Sequence, residues 1–154
     1  MTIKIINPKN NLPLHIENDN LVDSEGNKYP VVDGVARIAA LDNYTENFGV
    51  QWNKFDKTQL DKDSDGLVLS QKRFFAESGW SPHELAGNDV LEVGSGAGRF
   101  SNVVLKHTLA QLYSVDYSDA VSANFKNNGQ IAPDRFHLFQ ASIYEMPFTN
   151  NVFD

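Results

Sequence analysis

The spacing of apolar and polar positions divides the chain into three stretches. Near the start, Leu12, Leu14 and Ile16 fall at every second position before the polar run Glu17-Asn18-Asp19-Asn20, which predicts a short strand and a turn. Leu21-Val22 restarts the apolar pattern and Ser24-Glu25-Gly26-Asn27 turns it again. Tyr29 to Ile38 is apolar on both sides of Asp33-Gly34, a pair suited to a two-residue hairpin because both central residues of a type I′ turn need positive φ. Residues 1–41 are therefore expected to form a small β-hairpin domain. Residues 42–88 read as a helical connector. Within it, Ser70 to Trp80 predicts a helix ended by Gly79. Ser81-Pro82-His83-Glu84 has the cap, first-turn proline and acid of a second, short helix. From residue 89 to 154 strand and helix alternate. Val90–Val93, Leu112–Val115 and Phe136–Gln140 are expected strands, and Arg99–Thr108 and Asp119–Phe125 are expected helices, with a turn at Asn127-Asn128-Gly129. Such alternation predicts an α/β domain built on a parallel sheet.

The chemistry concentrates at Val90-Leu91-Glu92-Val93-Gly94-Ser95-Gly96-Ala97-Gly98-Arg99-Phe100. A strand, a glycine turn and a helix in that order seat a nucleotide-like ligand at the carboxyl end of a parallel strand. The dinucleotide fingerprint is G-x-G-x-x-G, whereas here the spacing is G-x-G-x-G and the sixth position is Arg99. Glu92, two residues before the first glycine, would repel a pyrophosphate but suits a ligand carrying an ammonium and a sulfonium. Asp116 lies 20 residues beyond Gly96 at the end of the next strand. At that distance a carboxylate grips both ribose hydroxyls in doubly wound folds.

These residues resemble the first motif of class I S-adenosylmethionine (SAM)-dependent methyltransferases, of the type 11/12 kind. The resemblance spans about residues 28–154 and is most specific over 90–118. It implies a partial Rossmann-like doubly wound sheet and SAM as cofactor. The turn residues Glu92, Gly94, Ser95, Gly96, Gly98 and Arg99 would hold the cofactor, with Asp116 on the ribose and Tyr117 and Ser118 beside the adenine. Ala141, Ser142 and Ile143 would line the other side of the base. Members of this group usually place an aspartate where Ser142 stands, and a serine can accept the same hydrogen bond only without charge. The full fold orders its strands 3-2-1-4-5-7-6, so this chain is expected to hold the first three. Asn150 to Asp154 resembles the approach to the fourth. The chain reads on this basis as a truncated form with half a cofactor site and little activity alone. The unpaired first strand is an edge that invites self-association.

Tyr29-Pro30-Val31-Val32-Asp33-Gly34 resembles the closing hairpin of a small zinc-ribbon-like domain found ahead of the catalytic domain in some bacterial methyltransferases. Those domains carry two cysteine pairs, and this chain has no cysteine. The resemblance implies a hairpin without metal, held by packing alone. Phe48-Gly49-Val50-Gln51-Trp52 resembles a stretch preceding the SAM domain in the same group, which would set Phe48, Gln51 and Trp52 over the cofactor or acceptor, or in the core.

Composition narrows the choices further. The 154 residues are 41% hydrophobic with a net charge of −7, enough for a packed core and unfavourable for duplex nucleic acid as the main partner. No run is long and apolar enough to span a bilayer, and Met1–Asn11 lacks the apolar segment of a secretory signal, so a cytoplasmic location is expected. Asp61-Lys62-Asp63-Ser64-Asp65-Gly66 opens like a calcium loop, but Lys72 stands at the twelfth position where a bidentate glutamate should close the shell. A solvated acidic turn fits better. His137 falls within a buried strand pattern and reads as core. The leading reading is a methyltransferase acting on a small-molecule, saccharide or lipid acceptor, with its catalytic residues unknown. A non-catalytic SAM-binding or protein-interaction module is the alternative, and a nicotinamide-dependent oxidoreductase is disfavoured by Glu92 and the third glycine's position.

Overall fold

In the computed structural model the described residues are 3–39 and 68–154. The first strands are short: β1 (His15–Glu17), β2 (Asn20–Val22), β3 (Lys28–Val32) and β4 (Val35–Arg37). Helix α1 (Leu69–Ser78) is followed by β5 (Asp89–Val93), α2 (Arg99–His107), β6 (Gln111–Asp116), α3 (Ala120–Asn128) and β7 (Phe136–Gln140). All seven strands join one sheet in the order β1-β2-β3-β4-β7-β6-β5. Strands β5, β6 and β7 are parallel, and their order is the 3-2-1 arrangement of the opening strands that the sequence implies. Strands β1 to β4 form an antiparallel meander, and β4 then pairs in parallel with β7 through Ala36↔Phe139 and Arg37↔Gln140.

Local chemistry explains the meander's turns. Asn18 and Asp19 have φ of 46° and 58°, and Asp33 and Gly34 have 50° and 78°. Both are two-residue connections with positive φ throughout, whose twist matches that of the strands they join. The expected turn at Asp33-Gly34 is present, with Val32 opposite Val35.

The parallel strands alternate between two cores. Leu112, Phe136 and Leu138 pack with Val104 and Leu105 of α2 and Val121 of α3. Tyr113, Val115 and Phe139 point the other way, against Ile3, Leu14, Leu21, Ala36 and Phe148. The helices α2 and α3 thus cover one face, while the meander's apolar residues and the segment around Phe148 cover the other. His137 stacks on Tyr113 with ring centroids 4.5 Å apart. His137 is only half-buried; burial nonetheless pushes its imidazole below the ordinary value, only partly countered by Asp89.

Three expectations need correction. The meander is not held by packing alone. Asp23 is buried, and its Oδ2 accepts from the side-chain amides of Asn7 (2.7 Å), Asn27 (2.8 Å) and Asn10 (2.9 Å). Its Oδ1 accepts from the backbone N–H of Glu25 (2.9 Å) and Asn27 (3.0 Å). Tyr29 donates its hydroxyl hydrogen to Asn7 Oδ1 at 2.8 Å, so one carboxylate fastens residues 7–10 to the 23–27 turn and to β3. Residues 81–84 form turns rather than a helix, although Ser81 and Glu84 bond to each other as a reciprocal cap, with Ser81 Oγ 2.7 Å from Glu84 Oε2. Only a few residues separate that cap from Gly87, whose φ is 82°, too little chain for a stable helix. Helix α3 runs on to Asn128 and absorbs part of the expected turn, because Asn124 and Asn128 have partners inside the fold. Phe48, Gln51, Trp52 and Asp61 to Gly66 lie outside the described residues.

Candidate functional site

The glycine turn leaves β5 and enters α2 with positive φ at Gly94 (74°), Gly96 (52°) and Gly98 (86°). Their surroundings differ. A Cβ on Gly94 or Gly96 would meet nothing within 4 Å, whereas one on Gly98 would collide with the amides of Asn124 and Asn128. The first two glycines leave the turn's outer surface bare. The third lets α3 approach. Asn128 Nδ2 donates to the carbonyl of Gly98 at 2.9 Å, and Asn127 Nδ2 to that of Ala97 at 3.1 Å, so α3 grips the turn from beneath.

Glu92 is tied into the same underside. Ser101 Oγ and Ser114 Oγ donate to its Oε2 at 2.5 and 2.6 Å, and Asn124 Nδ2 donates to Ser101 Oγ at 2.9 Å. Burial pushes the Glu92 carboxyl above the ordinary range, and the serine hydroxyls only partly oppose this. A carboxyl that titrates higher in the folded state than in the unfolded one favours folding at low pH, and that contribution fades as pH rises through its folded value. Glu92→Gln is therefore expected to gain on the wild type steadily as pH rises above about 4.5. Urea unfolding of both chains across that range checks it, and a constant difference would contradict it.

Asp116 closes the turn from β6. Its Oδ2 accepts the N–H of Gly96 at 2.8 Å, and its Oδ1 accepts the N–H and the hydroxyl of Ser118 at 2.8 and 2.7 Å. The carboxylate and the bare part of the glycine turn are therefore one locus. Ser95 is nine-tenths buried, and its Oγ has no hydrogen-bond partner among the described residues. A buried hydroxyl without a partner is costly, and a ligand on the turn would relieve it. Arg99 turns elsewhere. Its Nε donates to Ser70 Oγ at 3.0 Å and its guanidinium lies 5.3 Å from the Phe100 ring centroid, linking α1 to α2.

At the carboxyl ends of the parallel strands, Val93 (the last residue of β5), Tyr117 and Ile143 are 48%, 41% and 54% exposed. Ala141 is buried and donates its N–H to the Asp116 carbonyl at 3.0 Å. Ser142 Oγ accepts the N–H of Tyr144 at 3.2 Å. The structure thus gathers Gly94, Ser95, Gly96 and Asp116 at one point, and places Tyr117, Ser118, Ala141, Ser142 and Ile143 on the adjoining loops. Glu92 and Gly98 lie beneath the turn. The role of Asn124 and Asn128 is not visible in the sequence, where Asn128 reads as part of a turn and Asn124 as an ordinary helix position; their i, i+4 spacing on one helix face was the available signal. Among the described residues no group of three His, Cys, Asp or Glu residues is placed to hold a metal ion, and no helix is long and apolar enough to cross a membrane.

A parallel β-α-β-α-β sheet with its loops and glycine turn at the strand carboxyl ends defines the Rossmann-like class of folds. Residues 91–154 match the family described as a methyltransferase domain. Among solved structures the chain is similar to a protein of Methanococcus maripaludis that carries the name of an S-adenosyl-L-methionine-dependent methyltransferase. The two are 16% identical with a TM-score of 0.53, over 75% of this chain and 52% of the other. The chain therefore spans about half the length of that structure. No curated protein matches the sequence.

Proposed function

We propose that this chain supplies the cofactor-binding half of a SAM-dependent methyltransferase. The observation that carries the reading is the meeting of Asp116 with the N–H of Gly96 at 2.8 Å, beneath space that no side chain fills. The residues fit the cofactor: Gly94 to Gly96 would receive its amino-acid end, Ser95 would offer its unpaired hydroxyl, and Asp116 would take the ribose hydroxyls. Tyr117 and Ile143 would flank the base, with Ser142 as an uncharged acceptor for its amine. When bound, SAM supplies the methyl group to be transferred. The chain's part is to orient that molecule and shield it from water, so that an acceptor meets the methyl carbon in line with its bond to sulfur. A small molecule fits the acceptor role.

Calorimetric titration with S-adenosylhomocysteine tests the proposal. The wild type is expected to bind, and Asp116→Ala to lose about 100-fold in affinity, in keeping with removal of a charged partner of two hydroxyls. Folded wild-type protein that does not bind, or an Asp116→Ala chain that binds equally well, would overturn it.

A further inference from the structure

Arg37 sits on β4, far in sequence from the glycine turn, yet its guanidinium is buried and reaches β7, α3 and the residue that precedes α3. Nη1 donates to Asp119 Oδ1 at 2.9 Å and to Gln140 Oε1 at 3.0 Å, and Nη2 donates to Ser122 Oγ at 2.8 Å. Asp119 precedes α3 and follows Tyr117-Ser118, one side of the candidate base site. Gln140 ends β7 and precedes Ala141-Ser142-Ile143, the other side. The two sides are also joined to each other through Gln140. Because the guanidinium occupies Oε1 of that amide, its Nε2 is left to donate to the Tyr117 carbonyl at 3.3 Å. The parallel pairing of β4 with β7 holds Arg37 level with Gln140, and the N–H groups of Ile38 and Ala39 both donate to the Gln140 carbonyl at 2.8 Å.

We infer that Arg37 is a positioning residue for the base end of the cofactor site, and that the amino-terminal meander is thereby a working part of that site. Burying a guanidinium is costly unless its donors are met, and here both terminal nitrogens are met, by acceptors on β7, on α3 and just before α3. The physical effect is on spacing. With Arg37 in place, Tyr117-Ser118 and Ala141-Ile143 stand at a fixed separation. Without it, the Ala141 N–H still ties the two strand ends through the Asp116 carbonyl, but Asp119, Ser122 and Gln140 lose their common donor, and only a fraction of molecules present both walls to a purine at once. Apparent affinity falls by that fraction, and discrimination at the base edge falls with it, while the glycine turn and Asp116 keep their own bonds.

The inference rests on the SAM reading, and the test separates the two. Adenosine, inosine and S-adenosylhomocysteine are titrated by calorimetry into the whole chain, into Arg37→Met and into the milder, near-isosteric Asp119→Asn. The wild type should bind S-adenosylhomocysteine and prefer adenosine to inosine. Arg37→Met should weaken adenosine and S-adenosylhomocysteine by the same factor, about tenfold, and bring the inosine-to-adenosine ratio of dissociation constants towards one. Asp119→Asn should move the ratio in the same direction by less, and it covers the case in which Arg37→Met does not fold. A purely structural role would lower the fraction of binding-competent protein, seen in the stoichiometry, and leave the ratio unchanged. An unchanged ratio in the variants that fold, with wild-type binding intact, overturns the positioning role alone. A wild type that binds none of the three overturns the SAM reading and the inference together.

Discussion

Gly98→Ala is expected to destabilise the chain by about 2–5 kcal/mol, combining the strain of a left-handed non-glycine residue with an overpacked contact. At φ of 86° the backbone disfavours any L side chain, and the new methyl group would overlap Asn124 and Asn128. Those amides cannot easily withdraw. Asn128 is bonded to Gly98, Asn102 and Asn124, and Asn124 to Ser101, so displacing them disturbs the underside of the turn as far as Glu92. Gly94→Ala and Gly96→Ala meet backbone strain only, about 1–2 kcal/mol each, but their methyl groups enter the space assigned to the ligand. The expected pattern is a division of effects. Urea unfolding should single out Gly98→Ala, and S-adenosylhomocysteine titration should find Gly94→Ala and Gly96→Ala folded but weak in binding. Equal stability losses at all three positions would refute it.

Asp23→Ala should loosen the whole meander. Burial by itself pushes the Asp23 carboxyl up, but the side-chain amides of Asn27, Asn7 and Asn10, with the N–H of Asn27, outweigh it and hold the group well below the ordinary carboxylate range. The alanine variant removes the acceptor shared by three amides and leaves the buried Asn7 short of one partner. Its melting temperature should fall further than that of Tyr29→Phe, which removes a single bond to Asn7. An Asp23→Ala chain as stable as the wild type would show that apolar packing suffices after all. The same group sets an acid limit. A carboxyl depressed in the folded state contributes stability above its unfolded value and loses it as pH falls towards its folded value. The wild type should therefore weaken below about pH 4 more steeply than Asp23→Ala.

Much of this fold was legible from local pattern. The Asp33-Gly34 hairpin, the helix ended by Gly79, the glycine turn and the three parallel strands each announce themselves within a few residues, because turn chemistry and side-chain alternation are local properties. What escaped was non-local or polar. Nothing near Arg37 signals that its partners lie at 119, 122 and 140. Asn7, Asn10 and Asn27 look like loop residues until the chain closes and Asp23 arrives between them. Of the candidate site, the positions of Gly94, Gly96 and Asp116 were readable as spacing. The division of labour among the glycines was not, since it depends on whether another helix packs against each one.

The pairing of β4 with β7 also has a consequence for how the molecule is made. Arg37 and Gln140 are 103 residues apart, so the ribosome delivers β4 long before its neighbour. At 5–20 residues per second, the interval is about 5–20 s. The hairpins on either side of β3 are local and can close within microseconds, yet the outer edge of β4, with its backbone groups unpaired, must wait for β7. During synthesis the meander is a finished piece with an open seam, and anything that shields that seam should raise the yield of correctly joined protein.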